Sequence, residues 1–147
     1  MNKKSILLVD DETVIASALS RELENECLDF DIHVANSGEE AMEQVNTLGF
    51  DLVVTDRFIP GLDDFQVLKA VKDKDPQAMV IIFTGSVNLQ SSIDALRLGA
   101  DDFVQKPCDT EELLSRIFNC FVNQDLQRKV RLDETIAGLQ LVQQQKT

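Results

Sequence analysis

Short apolar runs alternate with helix-like segments along most of this chain, and this alternation constrains the fold more than any other feature. Three runs are rich in Val and Ile, as expected for strands covered on both faces: Ser5–Val9, Asp51–Thr55 and Ala78–Phe83. Asp29–Ala35 alternates between apolar and polar residues, and Asp102–Gln105 is short with polar ends, so both are predicted to be edge strands. The sequence therefore predicts five strands with helices between them.

Helix start signals occupy the segments between the predicted strands. Ser37 with Glu40 has the spacing of a capping box, and Asp109 with Glu112 has an equivalent arrangement. Because parallel strands need long crossover connections, which helices usually supply, this order predicts an open, doubly wound α/β fold with helices on both faces. Two edge strands and three central strands match the strand order 2-1-3-4-5, in which ligands bind at the carboxyl ends of the strands.

Charge and hydropathy exclude several classes of function. The 147 residues carry a formal net charge of −12, so the chain repels a phosphate backbone and direct nucleic-acid binding is not expected. No apolar run approaches the roughly 20 residues that span a bilayer, and the start lacks the apolar segment of a signal peptide. The odd number of cysteines suits a reducing compartment. We expect a cytoplasmic protein that binds neither nucleic acid nor membrane.

Polar side chains follow four of the five predicted strands. They are Asp10, Asp11 and Glu12 after the first strand, Asp56 after the third, Thr84 after the fourth and Lys106 after the fifth. Carboxylates that converge from adjacent strands repel one another unless a cation lies between them, and hard oxygen ligands suit Mg²⁺. Helix capping explains one of these acids but not the whole set. The set therefore predicts a divalent metal site.

A metal at this edge would allow phosphoryl chemistry. Asp56 can attack phosphorus and hold the phosphoryl group as an acyl phosphate. Transfer spreads negative charge over the phosphoryl oxygens, so catalysis consists mainly of positioning and electrostatic stabilisation. Lys106 would supply a cation and Thr84 a hydroxyl donor. The sequence thus predicts a phosphoryl-accepting site centred on Asp56.

These residues lie in segments that resemble the receiver domains of response regulators in two-component signalling. The resemblance covers roughly Lys4–Val122 and rests on four segments, in this order: VDDE, DLVVTDRFIPGLDDF, IIFTGS and DDFVQKP. It implies a CheY-like (flavodoxin-like) fold with Asp56 as phosphoacceptor and Thr84 and Lys106 as phosphoryl contacts. The implied ligands of Mg²⁺ or Mn²⁺ are Asp10, Asp11, Asp56 and the backbone carbonyl of Phe58.

The resemblance also implies a switch and a partner. In the switch, movement of Thr84 is coupled to an aromatic residue at the position of Phe103. The partner is a sensor histidine kinase or a phosphotransfer protein, whose phosphohistidine donates the group. The chain would be a signalling module rather than an enzyme, catalysing only its own phosphoryl transfer and autodephosphorylation. A degenerate receiver that serves as a protein-interaction module is the less favoured alternative.

Four residues depart from the usual pattern of the family. Asp64 stands in place of a glycine, Phe103 in place of tyrosine and Ile59 in place of methionine, and Phe58 is bulky. Asp64 adds an acid near the rim of the predicted site. We expect the Phe58 side chain to slow the access of water to the phosphoryl group.

The predicted organisation is a receiver domain over residues 1–122 and a helical extension or linker over residues 123–147. In this extension Leu132, Ile136 and Leu139 have coiled-coil spacing. A homodimer through the fourth and fifth helices or through this extension is one open alternative. Another is that the chain is a module excised from a larger signalling protein, such as a hybrid kinase, a cyclic-nucleotide enzyme or a transcription factor.

Two other functions of α/β proteins compete with this interpretation. A flavin-binding module would need Gly, Ser and Thr donors after the first strand, whereas VDDET would repel a phosphate unless a metal intervened. A haloacid-dehalogenase-type phosphatase would need an Asp-x-Asp pattern there, whereas the order here is Asp10, Asp11, Glu12. The residues that follow the first strand therefore disfavour both.

Overall fold

The computed structural model describes residues 3–10, 13–26 and 30–145, in which five strands and five helices alternate. The strands are β1 (Lys4–Val9), β2 (Phe30–Ala35), β3 (Leu52–Thr55), β4 (Met79–Thr84) and β5 (Asp102–Gln105). The helices are α1 (Thr13–Glu26), α2 (Gly38–Thr47), α3 (Gln66–Lys74), α4 (Leu89–Arg97) and α5 (Thr110–Gln145). All five predicted strands are present, with bounds that differ from the prediction by at most one residue.

The strands form one parallel sheet in the predicted order β2-β1-β3-β4-β5. The register aligns their carboxyl ends: Val9 pairs with Ala35 and Thr55, and Thr84 pairs with Gln105. The chain therefore leaves β1, β3, β4 and β5 at the same edge of the sheet. We call this the carboxyl edge, and the opposite one the amino edge.

Each face of the sheet buries its own hydrophobic cluster. Alternate strand residues such as Leu7, Val53 and Val80 pack with side chains of α2, α3 and α4. The residues between them, such as Ile6 and Ile81, pack with α5 on the other face. Because central strands are covered on both faces, they read as continuous apolar runs, which is the reason the sequence predicted them correctly.

Side-chain caps fix the starts of two helices. At α2 the Ser37 hydroxyl accepts the Glu40 N–H at 3.1 Å, but the Glu40 carboxylate accepts the N–H of Asn36, at 2.9 Å, rather than that of Ser37. The predicted capping box is thus shifted by one residue on its return bond. At α4, Asn88 and Ser91 form both bonds of a capping box, which the sequence analysis did not single out.

Helix α5 continues well past the part that covers the sheet. It runs without a break to Gln145, so the predicted boundary between residues 122 and 123 falls inside it and stays a prediction. The side chain of Gln124 still contacts the sheet, whereas the apolar residues beyond it are exposed: Leu126, Val130, Leu132, Ile136, Leu139, Leu141 and Val142. Across the described ranges, no helix has both the length and the hydropathy to cross a membrane.

Candidate functional site

Three of the predicted site residues meet at the carboxyl edge. The Lys106 ammonium donates to Asp10 Oδ2 at 2.7 Å and to Asp56 Oδ2 at 3.1 Å. The side chains of Lys106, Asp10 and Asp56 are 16%, 8% and 15% exposed, respectively. Asp10 and Asp56 precede Lys106 by 96 and 50 positions in the sequence, yet the three side chains form one shielded ionic cluster.

The strands set the position of this cluster. Asp10 follows β1 and Asp56 follows β3, and these two strands are neighbours. The Lys106 N–H donates to the carbonyl of Thr84 at 2.9 Å, which keeps the chain beside β4 after β5 has ended. From that position the long lysine side chain spans the carboxyl edge, and its nitrogen lies 5.3 Å from the centre of the Phe83 ring.

The two carboxylates keep Lys106 charged. Burial lowers the pKa of Lys106, but the hydrogen bonds and charges of Asp10 and Asp56 outweigh burial and hold this pKa above its ordinary value. The stabilisation that follows is complete below the pKa of an unfolded lysine, and it is lost only as the pH rises through the folded value. The ammonium is therefore a fixed positive charge throughout the neutral range.

The carboxylate of Asp56 is held by one donor on each oxygen. Its Oδ2 accepts from Lys106, and its Oδ1 accepts the backbone N–H of Phe58 at 3.3 Å. The Thr55 hydroxyl donates to the backbone carbonyl of Asp56 at 3.1 Å and so fixes the start of the following loop. The Asp56 carboxylate is thus oriented by contacts within the chain.

Thr84 and Phe103 lie on the adjacent strands β4 and β5. Thr84 is 1% exposed, and its hydroxyl accepts the N–H of Ser86 at 3.2 Å. Phe103 pairs with Ile82 and packs, partly buried, against the hydrophobic cluster on the side of α2, α3 and α4. The register therefore places Phe103 two residue pairs before the strand ends, where Thr84 pairs with Gln105.

Metal ligation was predicted for Asp10, Asp11, Asp56 and the carbonyl of Phe58. Asp11 lies outside the described residues, and within the described ranges no group of three or more His, Cys, Asp or Glu side chains is arranged to hold a metal. The carboxylates of Asp10 and Asp56 nevertheless face one cation, the Lys106 ammonium, from two strands. Carboxylate oxygens that converge in this way fit a hard divalent ion.

Arg57, which follows Asp56 directly, was not among the predicted site residues. Its guanidinium binds the Asp64 carboxylate through both Nε and Nη2, at 2.8 to 3.1 Å. Asp64 was predicted to add an acid near the rim of the site and to affect the start of the third helix, and its pairing with Arg57 was not predicted. No local pattern marks this pair, because the two residues meet only when the loop between them turns back.

Residues 6–118 match the family described as response regulator receiver domain. This chain belongs to that family. YkoG of Bacillus subtilis, an uncharacterized transcriptional regulatory protein, is 37% identical over 117 residues, which cover 80% of this chain and 50% of YkoG. The alkaline phosphatase synthesis regulator PhoP of the same species is 35% identical over 117 residues, covering 80% and 48%. The crystal structure of a CheY-like receiver domain from Methanospirillum hungatei is also similar, with 27% identity and a TM-score of 0.80. The match covers 85% of this chain and 98% of that domain.

The predicted family and fold are therefore confirmed. The chain is a receiver domain of two-component signalling, and it spans about half the length of these two Bacillus relatives. Receiver domains are signalling modules that bind Mg²⁺ in general, and response regulators interact with histidine kinases and phosphotransfer proteins. In this chain, the shielded ionic cluster at the carboxyl edge joins Asp10, Asp56 and Lys106.

Proposed function

We propose that this receiver domain accepts a phosphoryl group on Asp56, in the cytoplasm, from the phosphohistidine of a partner kinase or phosphotransfer protein. The observation that carries the proposal is the Lys106 ammonium held between Asp10 and Asp56 at the carboxyl edge. A shielded cation beside two carboxylates can stabilise negative charge that develops on a transferring group.

In the transfer step, a carboxylate oxygen of Asp56 forms a bond to phosphorus while the bond from phosphorus to the histidine nitrogen breaks. The electron pair of the broken bond goes to that nitrogen, and one proton, carried by the ring or taken from water, makes the leaving group neutral imidazole. Lys106 then shifts from the carboxylate to a phosphoryl oxygen, and the N–H of Phe58 stays close to Asp56. The residues proposed to hold Mg²⁺ are Asp10, Asp11, Asp56 and the carbonyl of Phe58. The bound ion supplies positive charge to the phosphoryl oxygens.

Thr84 and Phe103 form the proposed switch. The Thr84 hydroxyl accepts one hydrogen bond from Ser86, so its own proton can be donated to a phosphoryl oxygen. Movement of Thr84 toward Asp56 would change the space beside Phe103, which is only partly buried. Because Phe103 has no hydroxyl, this switch works through packing and does not exchange a hydrogen bond. Apart from its own phosphoryl transfer and autodephosphorylation, the domain catalyses no reaction in this proposal.

The partner that responds to the switch is proposed to be a second copy of the chain or an output domain. Leu89 and Leu96 of α4 are 78% and 60% exposed, and the distal part of α5 also exposes apolar residues. These surfaces support a homodimer through α4, α5 or the C-terminal part of α5. The named Bacillus relatives are transcriptional regulatory proteins, and the match covers only about half of each. This supports a receiver that works within a larger regulator.

Intact-mass analysis after incubation with acetyl phosphate and Mg²⁺ tests the proposed acceptor. We expect a single phosphoryl adduct on the wild-type protein and none on Asp56→Asn. EDTA should prevent the adduct, because the metal is needed for the transfer. An adduct of equal amount on Asp56→Asn would disprove the proposal. If phosphorylation also raises the mass measured by light scattering, the partner that responds to the switch is a second copy of this chain.

A further inference from the structure

The loop after β3 is closed on itself by an ion pair. Arg57 donates from Nε to Asp64 Oδ1 at 2.9 Å and from Nη2 to Asp64 Oδ2 at 2.8 Å. The Arg57 side chain is 15% exposed and that of Asp64 is 40% exposed. Exposed single-contact pairs contribute little, but a two-pronged pair with a largely buried guanidinium has one defined geometry. This pair can therefore hold the shape of the loop.

A backbone contact closes the same loop a second time. The N–H of Phe65 donates to the carbonyl of Arg57 at 3.4 Å, and Phe65 adopts a left-handed conformation with φ of 60°. For a residue with a side chain, that conformation costs about 1–2 kcal/mol, so other contacts must stabilise Phe65 in it. The Phe65 side chain is buried, and the guanidinium of Arg57 lies 5.3 Å from its ring centre.

Arg57 also packs on Phe58, the residue that links this loop to the site. The guanidinium carbon lies 4.3 Å from the centre of the Phe58 ring. The backbone N–H of Phe58 donates to Asp56, and its carbonyl is a proposed ligand of Mg²⁺. The shape of the loop therefore affects both Asp56 and the proposed metal ligand through the backbone of Phe58.

We propose that Arg57 and Asp64 are positioning residues that fix the Phe58 backbone for metal binding. This inference rests on the proposed function and assigns a role to two residues that the transfer chemistry does not use directly. When the loop is ordered in advance, the metal does not have to spend binding free energy on ordering it. Without the pair, the Phe58 carbonyl would sample other orientations and the affinity for the ion would fall.

Metal affinity in Arg57→Met and Asp64→Asn tests the pair. Each change should weaken Mn²⁺ binding by about tenfold, the lower end of the loss that usually follows removal of a group supporting a metal ligand. The chain has no Trp or Tyr, so free Mn²⁺ is measured by electron paramagnetic resonance rather than by protein fluorescence. The double variant should lose no more than either single variant, because both remove the same contact.

Phosphorylation kinetics separate positioning from general damage. With acetyl phosphate as donor, the Mg²⁺ concentration for half-maximal rate should rise by about tenfold, in line with the affinity loss. The rate at saturating Mg²⁺ should stay near that of the wild type. Arg57→Lys keeps the charge but cannot make the two-pronged contact, so it should behave like Arg57→Met and serves if that variant does not fold.

Arg116→Met is the matched control. It removes another arginine–aspartate pair, between Arg116 and Asp102 at 2.9 Å, at the start of β5. Metal affinity should be unchanged in this variant. Wild-type affinity in Arg57→Lys and Asp64→Asn, or an equal loss in Arg116→Met, overturns the inference. If the variants lose affinity while the wild type is not phosphorylated on Asp56, the inference stands and the proposed function fails.

Discussion

The two edges of the sheet carry similar side chains and use them differently. At the carboxyl edge, Asp10 and Asp56 share the ammonium of Lys106. At the amino edge, the Asp51 carboxylate accepts the N–H of Ser5 at 2.9 Å and its hydroxyl at 3.3 Å. The amide of Gln124, which is 1% exposed, donates to the carbonyls of Asp51 and Gln77 at 3.0 Å each.

The difference lies in what could replace each contact. The amino-edge bonds run largely to backbone groups, which are fixed by the fold and stay costly to leave unpaired. The contacts of Lys106 with Asp10 and Asp56 at the carboxyl edge are ionic and run between side chains, so a metal ion or a phosphoryl group could replace part of them. The amino edge therefore anchors α5 to the sheet, and the carboxyl edge is the one that the proposed phosphoryl transfer uses.

Replacement of Lys106 should greatly slow phosphorylation at the carboxyl edge. We expect Lys106→Met to slow phosphorylation by acetyl phosphate by about 10²–10³-fold, the loss typical for one removed donor to developing negative charge. The initial rate, measured by intact mass at saturating Mg²⁺, checks this. A rate close to that of the wild type would show that Lys106 is a structural cation only.

Replacement of Gln124 should weaken the attachment of α5 to the amino edge of the sheet. Gln124→Leu leaves the carbonyls of Asp51 and Gln77 without their amide donors, and we expect a loss of about 2 kcal/mol in the free energy of unfolding. Urea denaturation measures the loss, and phosphorylation should proceed at the wild-type rate. Gln127→Leu, on the exposed side of the same helix, is the control and should change stability by less than about 0.5 kcal/mol.

A third change sharpens the comparison by testing charge at the amino edge. Arg128 and Asp51 lie 3.5 Å apart, with side chains 43% and 25% exposed. Such a pair contributes about 0–1 kcal/mol and is screened by salt, so Arg128→Met should cost less than Gln124→Leu. Urea denaturation at low and high salt measures it. A larger loss than in Gln124→Leu would mean that charge, rather than hydrogen bonding, anchors this edge.

The strands and the meeting of Asp10, Asp56 and Lys106 could be predicted from the sequence. Apolar runs mark central strands, and in a parallel sheet the residues after each strand come out at one edge. The Arg57–Asp64 pair could not, because the two residues meet only when the loop between them turns back.

The role of Gln124 at the amino edge was equally hidden. Its amide nitrogen donates to backbone carbonyls, which leave no mark in the sequence. A lone glutamine on a helix usually faces solvent. The Glu40 return bond to Asn36 shows the same limit at the scale of one residue. Side-chain contacts that depend on loop shape are the part that spacing rules do not reach.

The central claim is that Asp56 carries the phosphoryl group, and chemical trapping of the acyl phosphate tests it most directly. The protein is phosphorylated with acetyl phosphate and Mg²⁺, reduced with borohydride, digested and mapped by peptide mass. Reduction converts a phosphorylated aspartate to homoserine and leaves free carboxylates intact. We predict homoserine at position 56 alone. Homoserine at Asp10 or Asp51 instead of position 56 would contradict the account.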